Sequence, residues 1–194
     1  MELLSRRIFA LALASALALV LAVLPAQAPA QAPAGDDLLD YEVKAAFVFK
    51  FGEFVDWPAN VVGRTGAPFT IVVLGADAVA EVLEQLSKDR RINGRAVVIR
   101  RVLRSDQIPP AHIVFIGAGE SDRLRSVAEA LKAANTLTVT ETTRPSQPAG
   151  VINFVIRENR VRFEIDADAA DQSGLKISSK VLSLAVLVKP ARQK

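Results

Sequence analysis

Asp37–Pro58, DLLDYEVKAAFVFKFGEFVDWP, decides how the rest of the chain must be arranged. Leu39, Val43, Phe47, Phe51 and Phe54 recur at the spacing of one face of an amphipathic α-helix. Four of the nine Phe residues fall here (Phe47, Phe49, Phe51 and Phe54), and the single Trp, Trp57, follows them. Large apolar side chains at this density require cover, so the stretch is expected to be a core helix. Asp36 or Asp37 suits its N-cap, and Asp40 and Glu42 suit the positive end of its dipole. Pro58 ends it, because the residue before a proline is pushed out of the helical region. Phe54, Val55 and Trp57, at the far end, are the candidate surface for a protein partner.

Upstream lies a different kind of sequence. Arg6 and Arg7 precede the uncharged apolar run Ile8–Leu24, and Pro25–Ala34 is small and proline-rich. This is the layout of a secretory signal peptide, expected over residues 1–34 with cleavage after Ala30 or Ala34. Ser5-Arg6-Arg7-Ile8-Phe9 also fits a twin-arginine pattern, so both export routes remain open. No later run approaches the length of a membrane span. The mature protein is expected to be soluble and outside the cytoplasm.

Downstream, strand and helix patterns alternate. Phe69–Gly75 (FTIVVLG), Ala96–Val102 (AVVIRRV), His112–Gly117 (HIVFIG) and Leu137–Thr140 read as strands, the apolar ones buried on both faces. Helices are expected from Asp77, with Val79, Val82, Leu83 and Leu86 inward, and from Ser121 or Asp122, with Leu124, Val127, Ala128 and Leu131 inward. Asn93-Gly94 marks a turn. Val151–Arg157 and Arg160–Ile165 flank Glu158-Asn159 as a tight hairpin. Asp166 or Asp168 should cap a short helix ended by Gly174, and Ser179–Val188 reads as a last helix stopped by Pro190. The fold class is therefore α/β, over residues 35–194. It is a single three-layer domain: a mixed, mostly parallel sheet with helices on both faces and a late β-hairpin.

With 194 residues, a net charge of +3 and no long basic run, the chain is one domain with no nucleic-acid signature. It has no Cys, which removes disulfides, thiolate nucleophiles and thiolate metal sites. Gly117-Ala118-Gly119 follows a strand, but Asp122 stands where a dinucleotide fingerprint needs its third glycine, so it reads as a turn. His112, the only histidine, has no partner set for a triad and reads as a strand-end residue. Asp166, Asp168 and Asp171 are explained as first-turn carboxylates. No catalytic residue, metal ligand or cofactor is assigned. Lys176, Ser178 and Ser179, at an expected helix N-terminus, form a weak candidate site for an anionic ligand.

Two stretches together resemble one family. They are Tyr41–Pro58 (YEVKAAFVFKFGEFVDWP) and Ala149–Asp166 (AGVINFVIRENRVRFEID) followed by Ala170–Ala185 (ADQSGLKISSKVLSLA). Between them FTIVVLG, INGRAVVIRRV and AHIVFIGAGESDRL fall in the expected order, so the resemblance spans nearly all of the mature chain. The chain is similar to the YfiR family of small periplasmic regulators of Gram-negative bacteria.

That resemblance implies a dimeric periplasmic protein that is not an enzyme. Its members bind the periplasmic domain of an inner-membrane diguanylate cyclase and repress it, lowering cyclic di-GMP and biofilm matrix; an outer-membrane lipoprotein can titrate them away. A binding event needs only differential affinity for two states of the cyclase to achieve this. Members also carry cysteine pairs, often with one Cys just before the His of the H-I-V-F-I strand. Ala111 stands there in this chain, so redox control through a disulfide cannot operate. The alternative function is a periplasmic small-ligand protein, binding an anionic metabolite or nucleotide through Lys176, Ser178 and Ser179 and feeding another membrane sensor.

Overall fold

A computed structural model describes residues 35–58, 66–120, 124–141 and 150–190, all within the compact unit Gly35–Lys194. The expected signal peptide, residues 1–34, lies outside the described residues, as do Ser121 and Asp122. Among the described residues no helix is long and apolar enough to cross a membrane.

The first helix, α1 (Gly35–Phe54), stops three residues before Trp57, and Val55–Asp56 turns out of it as a short strand, β1. The core strand β2 (Phe69–Leu74) follows, then α2 (Asp77–Asp89), β3 (Arg91–Ile92), β4 (Arg95–Val102) and β5 (Ile113–Ile116). Next come α3 (Leu124–Lys132), β6 (Leu137–Glu141), β7 (Ile152–Arg157) and β8 (Arg160–Asp166). The chain closes with α4 (Ala167–Gln172), β9 (Lys176–Ile177), α5 (Ser179–Leu182) and β10 (Leu187–Lys189).

The main sheet has the order β10-β8-β7-β6-β5-β2-β4-β3. Strands β4, β2, β5, β6 and β7 run parallel; β3 and β8 oppose their neighbours, and β10 follows β8. Alternation along the parallel strands sorts the side chains into two cores. Ile71, Val73, Ile113 and Phe115 face one way, under α1 and α2. Val72, Leu74, Val114 and Ile116 face the other, under Leu124 and Val127 of α3. These are the three layers expected from the strand and helix alternation.

The hairpin turn at Glu158 (φ 51) and Asn159 (φ 57) is left-handed at both positions, as a two-residue turn between twisted strands requires. Asp166 caps α4 by accepting from the Ala169 N–H at 3.0 Å, and Gly174 (φ 66) leaves it. The long helix is buried more widely than its stripe of four-residue steps. Ala45, Val48, Phe49 and Phe51 are all inaccessible, and Phe47 is half-buried.

The expected last helix over Ser179–Val188 is a correction. Only Ser179–Leu182 is helical, and Leu187–Lys189 extends along β8, with Val188 opposite Ile165. A short apolar run fits either period, and the free edge of the hairpin supplies the hydrogen bonds that decide it.

The carboxyl ends of β2 and β5 meet closely. A methyl group at Gly117 would lie 2.2 Å from the Gly75 carbonyl oxygen, which is fixed backbone. Gly117→Ala is therefore expected to destabilise the protein by about 3 kcal/mol or to prevent folding, read as the urea midpoint against the parent.

Candidate functional site

The two sequence-derived candidate groups fall at one corner. Val55 pairs with Ile177 and Asp56 with Lys176, and the Ser178 N–H donates to the Phe54 carbonyl at 3.0 Å. Val55 is 1% exposed and offers no surface. Phe54 is half-buried, its ring between the ammonium groups of Lys50 at 5.7 Å and Lys180 at 5.4 Å. The Ser178 hydroxyl caps the Lys180 N–H at 3.3 Å, and α5 behind it has only four residues. Lys176 is exposed, and Ser179 stands at the start of that turn.

Trp57 connects the corner to a second feature. Its indole N–H donates to the His112 carbonyl at 3.2 Å, and its ring meets Phe69 edge-on at 5.3 Å. His112 sits immediately before β5 and is 7% exposed. Phe69 stacks on the imidazole with centroids 4.3 Å apart, and Trp57 closes a second side at 6.0 Å. The Thr70 backbone N–H donates to Nδ1 at 3.1 Å, while the His112 N–H donates to the Thr70 carbonyl at 3.0 Å. Arg95, opening β4, brings its Nη1 to 3.2 Å from Nε2. Burial, and then the Arg95 guanidinium, push the imidazole down to about 4.

These residues wall a cleft of about 680 Å³ at the amino ends of β2, β5 and β6. Thr70, Arg95, His112, Asn135 and Thr136 supply its polar groups; Ile108, Pro109, Pro110 and Leu131 supply apolar wall. Doubly wound sheets usually bind ligands beyond the carboxyl ends of their strands, at the point where strand order reverses. Here that point lies between β2 and β5, and Gly75, Gly117 and the Glu120 side chain pack closely against one another there. The open volume is at the opposite end of the sheet.

Sequence reading placed His112 at a strand end but missed its pairing with Arg95. The two are brought together because β2 lies between β4 and β5, which composition cannot show. The single His just before a buried strand, and an Arg just after an Asn-Gly turn, were the available signals.

Fold and cleft together define a doubly wound α/β domain with a polar cleft on its amino-end face. The YfiR/HmsC-like family profile matches residues 41–186, and the chain belongs to that family. As a family these are periplasmic regulators of diguanylate cyclase signalling rather than enzymes. No curated protein matches the chain significantly. Among solved structures it is similar to a conserved domain protein from Vibrio cholerae O1 biovar El Tor, at 13% identity and TM-score 0.53. It is also similar to the ABC domain from Streptococcus pneumoniae in complex with L-Trp, at 11% identity and TM-score 0.50. In both, 77% of this chain aligns and spans 60% of the other chain, so the likeness is one of fold.

A histidine held neutral by its surroundings favours the folded state only while it is neutral in the unfolded state too. Its folded value near 4 lies below the usual 6.5, so its contribution is complete above pH 6.5 and is lost as pH falls toward 4. Urea denaturation should show the parent losing roughly 3 kcal/mol more than His112→Asn between those limits, with little difference in slope above pH 7.

Proposed function

We propose that this protein represses an inner-membrane diguanylate cyclase by binding its periplasmic domain, and so lowers cyclic di-GMP. The family match over residues 41–186 carries the reading. The protein acts by contact: it binds one state of the cyclase more tightly than the other and shifts the population by that difference.

The Phe54 corner, with Trp57 beside it, is the surface offered to the cyclase. Phe54 supplies an apolar centre, Lys180 a positive charge beside it and the Lys50–Glu53 ion pair a polar rim, an arrangement typical of interface anchors. A homodimer uses the other end of the chain. Leu184, Val186, Leu187 and Val188 are exposed at 62%, 47%, 56% and 37%, and among the described residues β10 is hydrogen-bonded on one edge only. Exposed apolar residues on an open edge favour pairing with a second strand. An outer-membrane lipoprotein that competed for the same corner would release the cyclase. Export by the segment 1–34 would place the protein where these contacts occur.

Deletion of the gene should raise cellular cyclic di-GMP, and expression of the exported parent should reverse the rise. Phe54→Ala, folded as the parent, should fail to reverse it and should bind the cyclase's periplasmic domain about tenfold or more weakly. Unchanged cyclic di-GMP on deletion would sink the cyclase reading; full complementation by Phe54→Ala would sink only the surface. For the dimer, Leu187→Asp should shift the mass in light scattering from two copies to one.

A further inference from the structure

The His112–Arg95 contact is not a complete hydrogen bond. Thr70 lies in a parallel strand, so its N–H and C=O point to the same neighbour. The carbonyl accepts from the His112 N–H, and the Thr70 N–H has the His112 Nδ1 in front of it at 3.1 Å. That donor is fixed backbone, so Nδ1 must be the accepting nitrogen. A neutral imidazole carries one proton, which therefore sits on Nε2. Nε2–H then faces Arg95 Nη1 at 3.2 Å, and both groups are donors. The Arg95 fork is otherwise anchored, Nε on the Ala67 carbonyl at 2.7 Å and Nη2 on the Pro68 carbonyl at 3.4 Å. Nη1 and Nε2–H are thus two convergent donors on the cleft wall without an acceptor between them.

Among the described residues the cleft supplies no negative charge to the Arg95 guanidinium. No acidic side chain lines it, and Arg95 makes no ion pair among the described residues. Its volume of about 680 Å³ falls in the range of small-molecule sites, and Ile108, Pro109, Pro110 and Leu131 give it an apolar wall. We propose that this cleft binds a small organic carboxylate, its oxygens held by Arg95 Nη1 and His112 Nε2–H and its apolar body against the proline wall. An oxygen placed between the two donors turns a donor–donor contact into two charge-assisted hydrogen bonds. This site is separate from the Phe54 corner, so cyclase binding and carboxylate binding can fail independently.

His112 is the only histidine, so its imidazole resonances need no assignment by mutation. Nitrogen NMR on the labelled protein at pH 7 should show the Nε2-protonated neutral tautomer. Titration with benzoate or hexanoate should shift those resonances saturably and raise the melting temperature, as mass action requires. Benzyl alcohol, which lacks the charge, and inorganic phosphate, which lacks the apolar body, should bind at least about tenfold more weakly. Arg95→Gln should cost the carboxylate about tenfold or more in affinity. An Nδ1-protonated tautomer overturns the proposal, and that reading needs no variant to fold. So does the absence of a shift with both carboxylates, or equal binding of the alcohol or of phosphate.

Discussion

The contact of α1 with the β7–β8 hairpin holds the two ends of the domain together. Phe51 meets Phe163 edge-on at 5.1 Å, Phe47 meets the same ring at 5.1 Å, and Phe51 lies 6.0 Å from Phe154. Phe154 continues the chain of rings to Phe115 of β5 at 6.2 Å. Each such pair contributes about 0.5–1.5 kcal/mol beyond its buried area. In a chain without Cys, this is the link between its first helix and its last strands that an exported protein would often make with a disulfide. The buried Lys44–Glu141 ion pair adds a tie from the same helix to the end of β6.

The position of α1 sets the amino-end face. Where the helix stops, β1 is drawn into pairing with β9, and Trp57 is delivered onto His112. Phe69 and Trp57 then shield the imidazole, and Thr70 orients it. Arg95 arrives from β4, two strands away from β5. The corner with Phe54 and the cleft with His112 are thus successive products of one helix ending. Regulation by contact and recognition of a small molecule would occupy neighbouring but different surfaces.

Much of the site was hidden for the same reason that some of the fold was. Val55 looked like an exposed anchor because it stands beside Phe54 and Trp57; a two-residue strand turns it into the core at 1% exposure. Lys176, Ser178 and Ser179 read as a candidate anion site because free N–H groups and hydroxyls gather at a helix N-terminus. The observed helix is four residues, and the Ser178 hydroxyl caps it. For Arg95 the only local signal was its place just after the Asn93-Gly94 turn, since its role depends on which strand lies beside which.

Local physics settled several elements from the sequence alone. The helical spacing of large aromatics made α1 a core helix, and continuous apolar runs made β2 and β5 doubly covered strands. The alternating segments on either side of Glu158-Asn159 made a hairpin, with Asn159 the turn residue suited to a left-handed conformation. The motifs at the two ends were sufficient to recognise the family to which the chain belongs. Tertiary structure alone decided the rest: the strand order, the extended course of Leu187–Lys189 along β8, and the meeting of Arg95 with His112. These are long-range pairings. Their partners are separated in sequence by whole elements, and the energy that selects them exists only once the sheet is assembled.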